Sequence, residues 1–169
     1  MRSKNPTVSL ALAGLMGALV FVATMFFKIE IPVGGDKTMI GFANVFCILS
    51  GLLLGPLYGG LAAGIGSALF DLAGGWAASA PVTLATKFAM AFFCGLIARG
   101  GDKSGKKLLR AVAGAVSGSL LYCALYLGYS WLKAVLLGSS AQAVRMILLT
   151  KLGATLTNAV IADVIAVPL

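Results

Sequence analysis

SALFDLAGGWAASAPVTLATKFAM, residues 67–90, lies in the most apolar part of a very apolar chain, yet it holds an aspartate, a tryptophan and a lysine. Elsewhere charge is scarce. Of 169 residues, 60% are apolar and 11% charged, and the mean hydropathy is +1.01. Soluble domains carry about 25% charged residues. A globule of this length has too much surface to hide so many apolar side chains. The composition excludes an ordinary soluble domain. It predicts an all-α integral membrane protein with a single membrane domain over residues 1–169.

Outward from that stretch, apolar segments mark six transmembrane helices, at residues 8–27, 40–54, 57–72, 81–98, 108–132 and 144–168. A spanning helix needs about 20 apolar residues. The second and third are short, with only Gly55 and Pro56 between them. The N-terminal run is too long for a signal-peptide core and a second span soon follows, so it reads as a retained first helix.

Six spans put both termini on one side, and Lys and Arg choose the side. Arg2 and Lys4 precede the first helix, and Arg99, Lys103, Lys106, Lys107 and Arg110 fill the fourth-to-fifth connection. Lys28, Lys37, Lys133 and Arg145 lie on the opposite side. The bias predicts a multi-pass membrane protein, in contact with lipid, with both termini cytoplasmic. The net charge of +8 is then a topology signal. Basic residues do not alternate with aromatics along one face, so no nucleic-acid partner is expected.

Two outer connections stand out. Residues 28–40 hold Pro32, Gly34 and Gly35, which favour a turn or short hairpin over helix. Residues 73–80 are apolar for a solvent loop and carry Trp76. Such a loop can be a lid over a site. Equally, Trp76 can anchor the membrane boundary.

Ionisable side chains inside spans cost roughly 2.5–3.5 kcal/mol at mid-helix on insertion scales and usually face a partner or a cavity. Asp71 closes the third helix, and Lys87 lies about 9 Å into the fourth at 1.5 Å per residue. Lys151 has a similar depth in the sixth. Asp163 is nearer the cytoplasmic end and reads as packing or termination. Asp71, Lys87 and Lys151 thus gather in the outer half, which suits a pocket opening outward. Apolar, aromatic walls with a few polar groups are what small organic ligands need. The candidate substrate-binding residues are Lys87, Trp76, Asn44, Thr83, Tyr122, Tyr126, Asn158, Lys151 and Asp71; Thr86, Tyr129 and Thr155 are further polar candidates. The competing readings are snorkelling for the lysines, a structural pair or cap for Asp71, and core packing for the tyrosines.

Small residues form stripes that let membrane helices approach closely. Ala11, Gly14 and Ala18, or Ala13 and Gly17, do so on the first helix, and Gly60 and Gly64 on the third. Each stripe suits internal packing or a docking face for another membrane subunit. There is no His, no GxxxxGK[ST], no HExxH and no GxSxG, so neither catalytic residues nor a metal site are expected. Cys47, Cys94 and Cys123 lack metal-site spacing and read as small buried hydrophobes.

The series IPVGG (31–35) and ILSGLLLGPLYGGLAAGIGSALFDLAGGWAASAPVTLATKFAMAFFCGLIAR (48–99) resembles the substrate-binding S components of energy-coupling factor (ECF) vitamin transporters, in the branch of riboflavin, pyridoxine and hydroxymethylpyrimidine types. The resemblance implies a six-helix S-component bundle that binds a vitamin or precursor from outside. It further implies partners: a transmembrane coupling subunit and two ATPase subunits. ATP is used by those partners, and no cofactor is bound by this chain. The chain itself is not an enzyme. Ala11, Gly14 and Ala18 match the family's docking stripe by pattern. Lys87 and Asp71 match a family lysine and aspartate. Asn44 stands where relatives often have aspartate, and Asn158 keeps one of two polar residues in the sixth helix. The substrate that fits best is pyridoxine- or hydroxymethylpyrimidine-like. A stand-alone secondary transporter or channel for a small solute is the alternative.

Overall fold

Gly55 and Pro56 make one short corner out of what would otherwise be one long apolar helix. Gly55 takes φ +85°, a conformation costly for any residue with a Cβ. Its N–H caps the preceding helix on the Gly51 carbonyl at 3.0 Å. Pro56 starts the next helix, where a missing N–H costs nothing.

The computed structural model describes residues 6–33, 36–100 and 107–168. Among them run α1 (Pro6–Phe26), β1 (Lys28–Val33), β2 (Asp36–Gly41), α2 (Ala43–Leu54), α3 (Pro56–Ala73), α4 (Ala80–Arg99), α5 (Lys107–Leu136) and α6 (Ala141–Ala166). The expectation of an all-α chain is corrected by one antiparallel hairpin. β1 pairs with β2 from Lys28↔Gly41 to Val33↔Asp36. Ile40 belongs to that ladder, opposite Ile29, so α2 starts at Ala43 and not at residue 40. α5 runs four residues beyond its expected end at 132, to Leu136. α6 starts at Ala141 and not at residue 144, because the Ser140 hydroxyl accepts the Ala143 N–H at 3.3 Å. Ser140→Ala is expected to cost about 1 kcal/mol, read as a lower melting midpoint in detergent and faster amide exchange in the first turn of α6.

Four helices, α1, α4, α5 and α6, are long and apolar enough to cross a membrane. The 12 residues of α2 rise only about 18 Å at 1.5 Å each. Leu10, Leu15, Leu120, Leu149 and Val160 point outward and exposed, while Ala63, Ala91, Ala115 and Ala162 are fully buried. Large side chains outside and small ones inside suit a bundle whose solvent is lipid.

The interior is set by close backbone contact. A Cβ on Gly95 would lie 2.6 Å from the Gly51 carbonyl oxygen and 2.7 Å from Pro56 N. α2, α3 and α4 therefore meet backbone to backbone. On α3, Gly60 and Gly64 face Phe88 and Leu84 of α4, so that stripe is internal packing. On α1 the two stripes separate. Ala13 is buried, and a Cβ on Gly17 would meet the Ala62 carbonyl of α3 at 3.4 Å. Ala11, Gly14 and Ala18 are exposed, and a Cβ on Gly14 would meet nothing within 4 Å. The three cysteines are buried and unbonded to one another.

Arg2, Lys4, Gly34, Gly35, Lys103 and Lys106 lie outside the described residues, as do the side chains of Lys37 and Lys107. Arg99 closes α4 by donating to the Leu53 carbonyl of α2 at 2.5 Å. A basic side chain there meets the carbonyl end of α2, where it is favoured.

Candidate functional site

The C-terminal ends of α1 and α3, the N-terminal ends of α2 and α4, the second half of α5 and the middle of α6 meet beneath the hairpin. They enclose one cleft of about 930 Å³, its mouth included. All nine candidate residues line it, drawn from α2, α3, the α3–α4 loop, α4, α5 and α6.

Lys87 is 7% exposed and donates to the Asn44 side-chain oxygen. Its ammonium also lies 4.0 Å from the centre of the Tyr122 ring. Its head stays inside the bundle, against the snorkelling reading. Asn44, 3% exposed, keeps its side-chain nitrogen without a partner among the described residues. Asp71, 4% exposed, leaves Oδ2 in the same condition, while Thr83 hydrogen-bonds its carboxyl. Buried polar atoms without partners are rare, because each costs about 1–3 kcal/mol. Both of these residues line the one cleft.

On α5, Tyr122 and Tyr126 stack with centroids 5.8 Å apart and planes at 17°. Their spacing of four places both rings on one face. Lys151, 2% exposed, reaches 5.3 Å from the Tyr126 ring centre and donates to the Ser130 hydroxyl at 3.2 Å. Trp76 is half-buried at the rim, and its backbone N–H donates to the Asp71 backbone carbonyl at 2.7 Å. The loop that carries it is tied to the end of α3, so Trp76 lines the cleft as well as standing at its mouth.

Asn158 lines the cleft but spends its amide elsewhere. Its oxygen accepts Gly41 N–H at 2.8 Å and its nitrogen donates to the Met39 carbonyl at 2.8 Å. It pins β2 to α6. Asn158→Ala is expected to leave both backbone groups unmet, costing about 1–3 kcal/mol and speeding amide exchange at Gly41.

Sequence reasoning missed the roof. Thr24 and Phe27 at the end of α1, Lys28, Thr38, Met39 and Gly41 of the hairpin, and Phe70 of α3 also line the cleft. Lys28 pairs with Glu30 at 2.7 Å and lies 4.3 Å from the Phe70 ring centre. The Pro and Gly pattern of residues 28–40 marked a hairpin, but nothing in it gave the direction of folding. Asp163 lies at the other end of the bundle, accepting from Ser119 at 2.9 Å. No cluster of three or more potential metal-ligating side chains occurs among the described residues.

One relative, a Pyrococcus woesei protein described as "Uncharacterized protein in gap 3'region", is 35% identical over 97 residues, covering 57% of this chain and 64% of that protein. A sequence model of the ECF-type riboflavin transporter S component matches residues 4–169. Nearly the whole chain, cleft included, is covered, and the protein belongs to the family of ECF-type riboflavin transporter S components.

Proposed function

We propose that the protein captures a vitamin or vitamin precursor from outside the cell and hands it inward as the binding subunit of an ATP-driven importer. The observation that carries this reading is the cleft with its two orphaned polar atoms, Asn44 Nδ2 and Asp71 Oδ2, at the end of the bundle away from both termini. With six spans and cytoplasmic termini, that end faces outward. The flat tyrosine pair and the few converging polar groups favour a compact heteroaromatic ligand, of pyridoxine or hydroxymethylpyrimidine type. Riboflavin, for which the family is named, is the competing ligand.

The partners in this reading are a transmembrane coupling subunit and two ATPases. Ala11, Gly14 and Ala18 form the docking stripe, because α1 leaves them exposed while its other small residues are used internally. Gly14→Leu is expected to leave ligand affinity and the melting midpoint of the isolated chain unchanged while abolishing co-purification with the coupling subunit. Retained co-purification removes the stripe from the docking face.

The deciding experiment is uptake into proteoliposomes. Transport of labelled vitamin only when the coupling subunit, both ATPases and ATP are present supports the reading. Transport by this chain alone under an ion gradient overturns it in favour of a secondary transporter.

A further inference from the structure

A carboxamide can point either way round, and at Asn44 the neighbour decides which. An ammonium only donates, so the carboxamide oxygen must face Lys87 and the nitrogen must turn away from it. That nitrogen is the atom left without a partner, on a side chain 3% exposed that lines the cleft. The Lys87 ammonium is held in turn, 4.0 Å from the centre of the Tyr122 ring. Asn44 therefore offers the cleft a fixed N–H donor.

Asp71 supplies the opposite polarity. Thr83 hydrogen-bonds its carboxyl, and Oδ2, on a side chain 4% exposed, is the acceptor left over. Other polar side chains of the cleft are already engaged. Thr24, Thr86 and Thr155 donate to carbonyls of their own helices at 2.6, 2.9 and 2.8 Å, and Asn158 holds the hairpin.

The donor and the acceptor stand at one level. Cys47 Sγ and Ser67 Oγ meet at 4.0 Å between α2 and α3. Asn44 is one turn before Cys47, and Asp71 is one turn after Ser67. Each is thus one turn farther from the Gly55–Pro56 corner, on neighbouring helices.

Resting on the binding-subunit reading, we infer that Lys87 sets the polarity of Asn44, and that Asn44 and Asp71 together read one edge of a flat ring, an edge on which a neutral acceptor stands beside an N–H. The acceptor takes the Asn44 N–H, and the ligand's own N–H goes to Asp71 Oδ2. An aminopyrimidine has such an edge in its ring nitrogen and amino group. The lactam ring of riboflavin has one in its carbonyl and N–H. Pyridoxine has no acceptor beside an N–H.

The test is calorimetry on the full chain in detergent. The probes are hydroxymethylpyrimidine and its analogue with hydrogen in place of the amino group, riboflavin and its 3-deaza analogue, and pyridoxine. Each analogue keeps the ring and lacks the N–H. Hydroxymethylpyrimidine or riboflavin is expected to bind at least about tenfold tighter than its own analogue, the worth of one hydrogen bond to a carboxylate, and tighter than pyridoxine. Which parent does so identifies the source of the edge. Asp71→Asn is expected to close the gap while leaving the analogue's affinity unchanged, a pattern that misfolding would not produce. Asn44→Leu is expected to weaken parent and analogue by the same factor, because both keep the acceptor. Equal affinity within both pairs, tighter binding of pyridoxine, a gap that survives Asp71→Asn, or unchanged affinities in Asn44→Leu overturns the inference and leaves the vitamin-binding reading standing. If none of the five binds, a small molecule released on denaturation decides. One with the edge supports the inference, one without it overturns the inference alone, and release of none overturns both.

Discussion

Lys87→Ala is expected to weaken vitamin binding by a factor of about ten to a hundred, read by calorimetry on the purified chain. The magnitude follows from the worth of a hydrogen bond to a charged group, about 1.5–3 kcal/mol, at about 1.4 kcal/mol per tenfold. Lys87 is placed to deliver it. Its head is buried and oriented by Asn44 on one side and the Tyr122 ring on the other, so little ordering entropy is left to lose on binding. Lys87→Arg is not expected to rescue binding, because a planar guanidinium cannot take the place of a compact ammonium between a carboxamide and a ring face. The melting midpoint without ligand serves as the control for folding. Unchanged affinity in Lys87→Ala removes this residue from the site.

The second large effect concerns the bundle itself. Gly95→Ala is expected to destabilise the protein by about 1–3 kcal/mol, the usual cost of an added methyl in a packed interior. The new Cβ would sit 2.6 Å from the Gly51 carbonyl and 2.7 Å from Pro56 N, both backbone atoms that cannot rotate away. A lower melting midpoint and lower yield in detergent are the readouts. Gly14→Ala is the matched control, since its Cβ meets nothing within 4 Å. Equal midpoints for the two variants would contradict the close crossing of α2 and α4.

The two ends of legibility are Lys87 and Asn158. Cost made Lys87 readable: a charge inside an apolar span demands a reason, and the depth of each charge along its helix placed Asp71, Lys87 and Lys151 at one level before any packing was known. The same arithmetic set the helices, because apolar length is counted directly. Asn158 was legible as a polar group in the right place but not in its role, because the groups it satisfies, Gly41 N–H and the Met39 carbonyl, lie 117 and 119 residues away. The start of α2 failed for a related reason. Residues 40–42 are as apolar as the helix that follows, and only pairing with β1 removes Ile40 and Gly41 from it. The small-residue stripes were ambiguous on paper, since a Gly-rich face reads the same whether a partner helix belongs to this chain or another. Ala13 with Gly17, and Gly60 with Gly64, turned out to face neighbours in the same bundle.

The brevity of α2 has a consequence for the path of a ligand. Asn44 is at the first turn of α2 and lines the cleft; Leu54 is at its last turn, beside Arg99. The intervening helix rises about 18 Å, against a hydrocarbon thickness of about 30 Å. In the proposed orientation, a molecule seated on Asn44 would lie well inside the insulating layer. Between Asn44 and the Arg99 end of α2 the helices cross at Gly51, Gly59 and Gly95, where an added Cβ would run into a backbone carbonyl oxygen of another helix. Crossings held by backbone contact in this way resist a local parting of α2, α3 and α4.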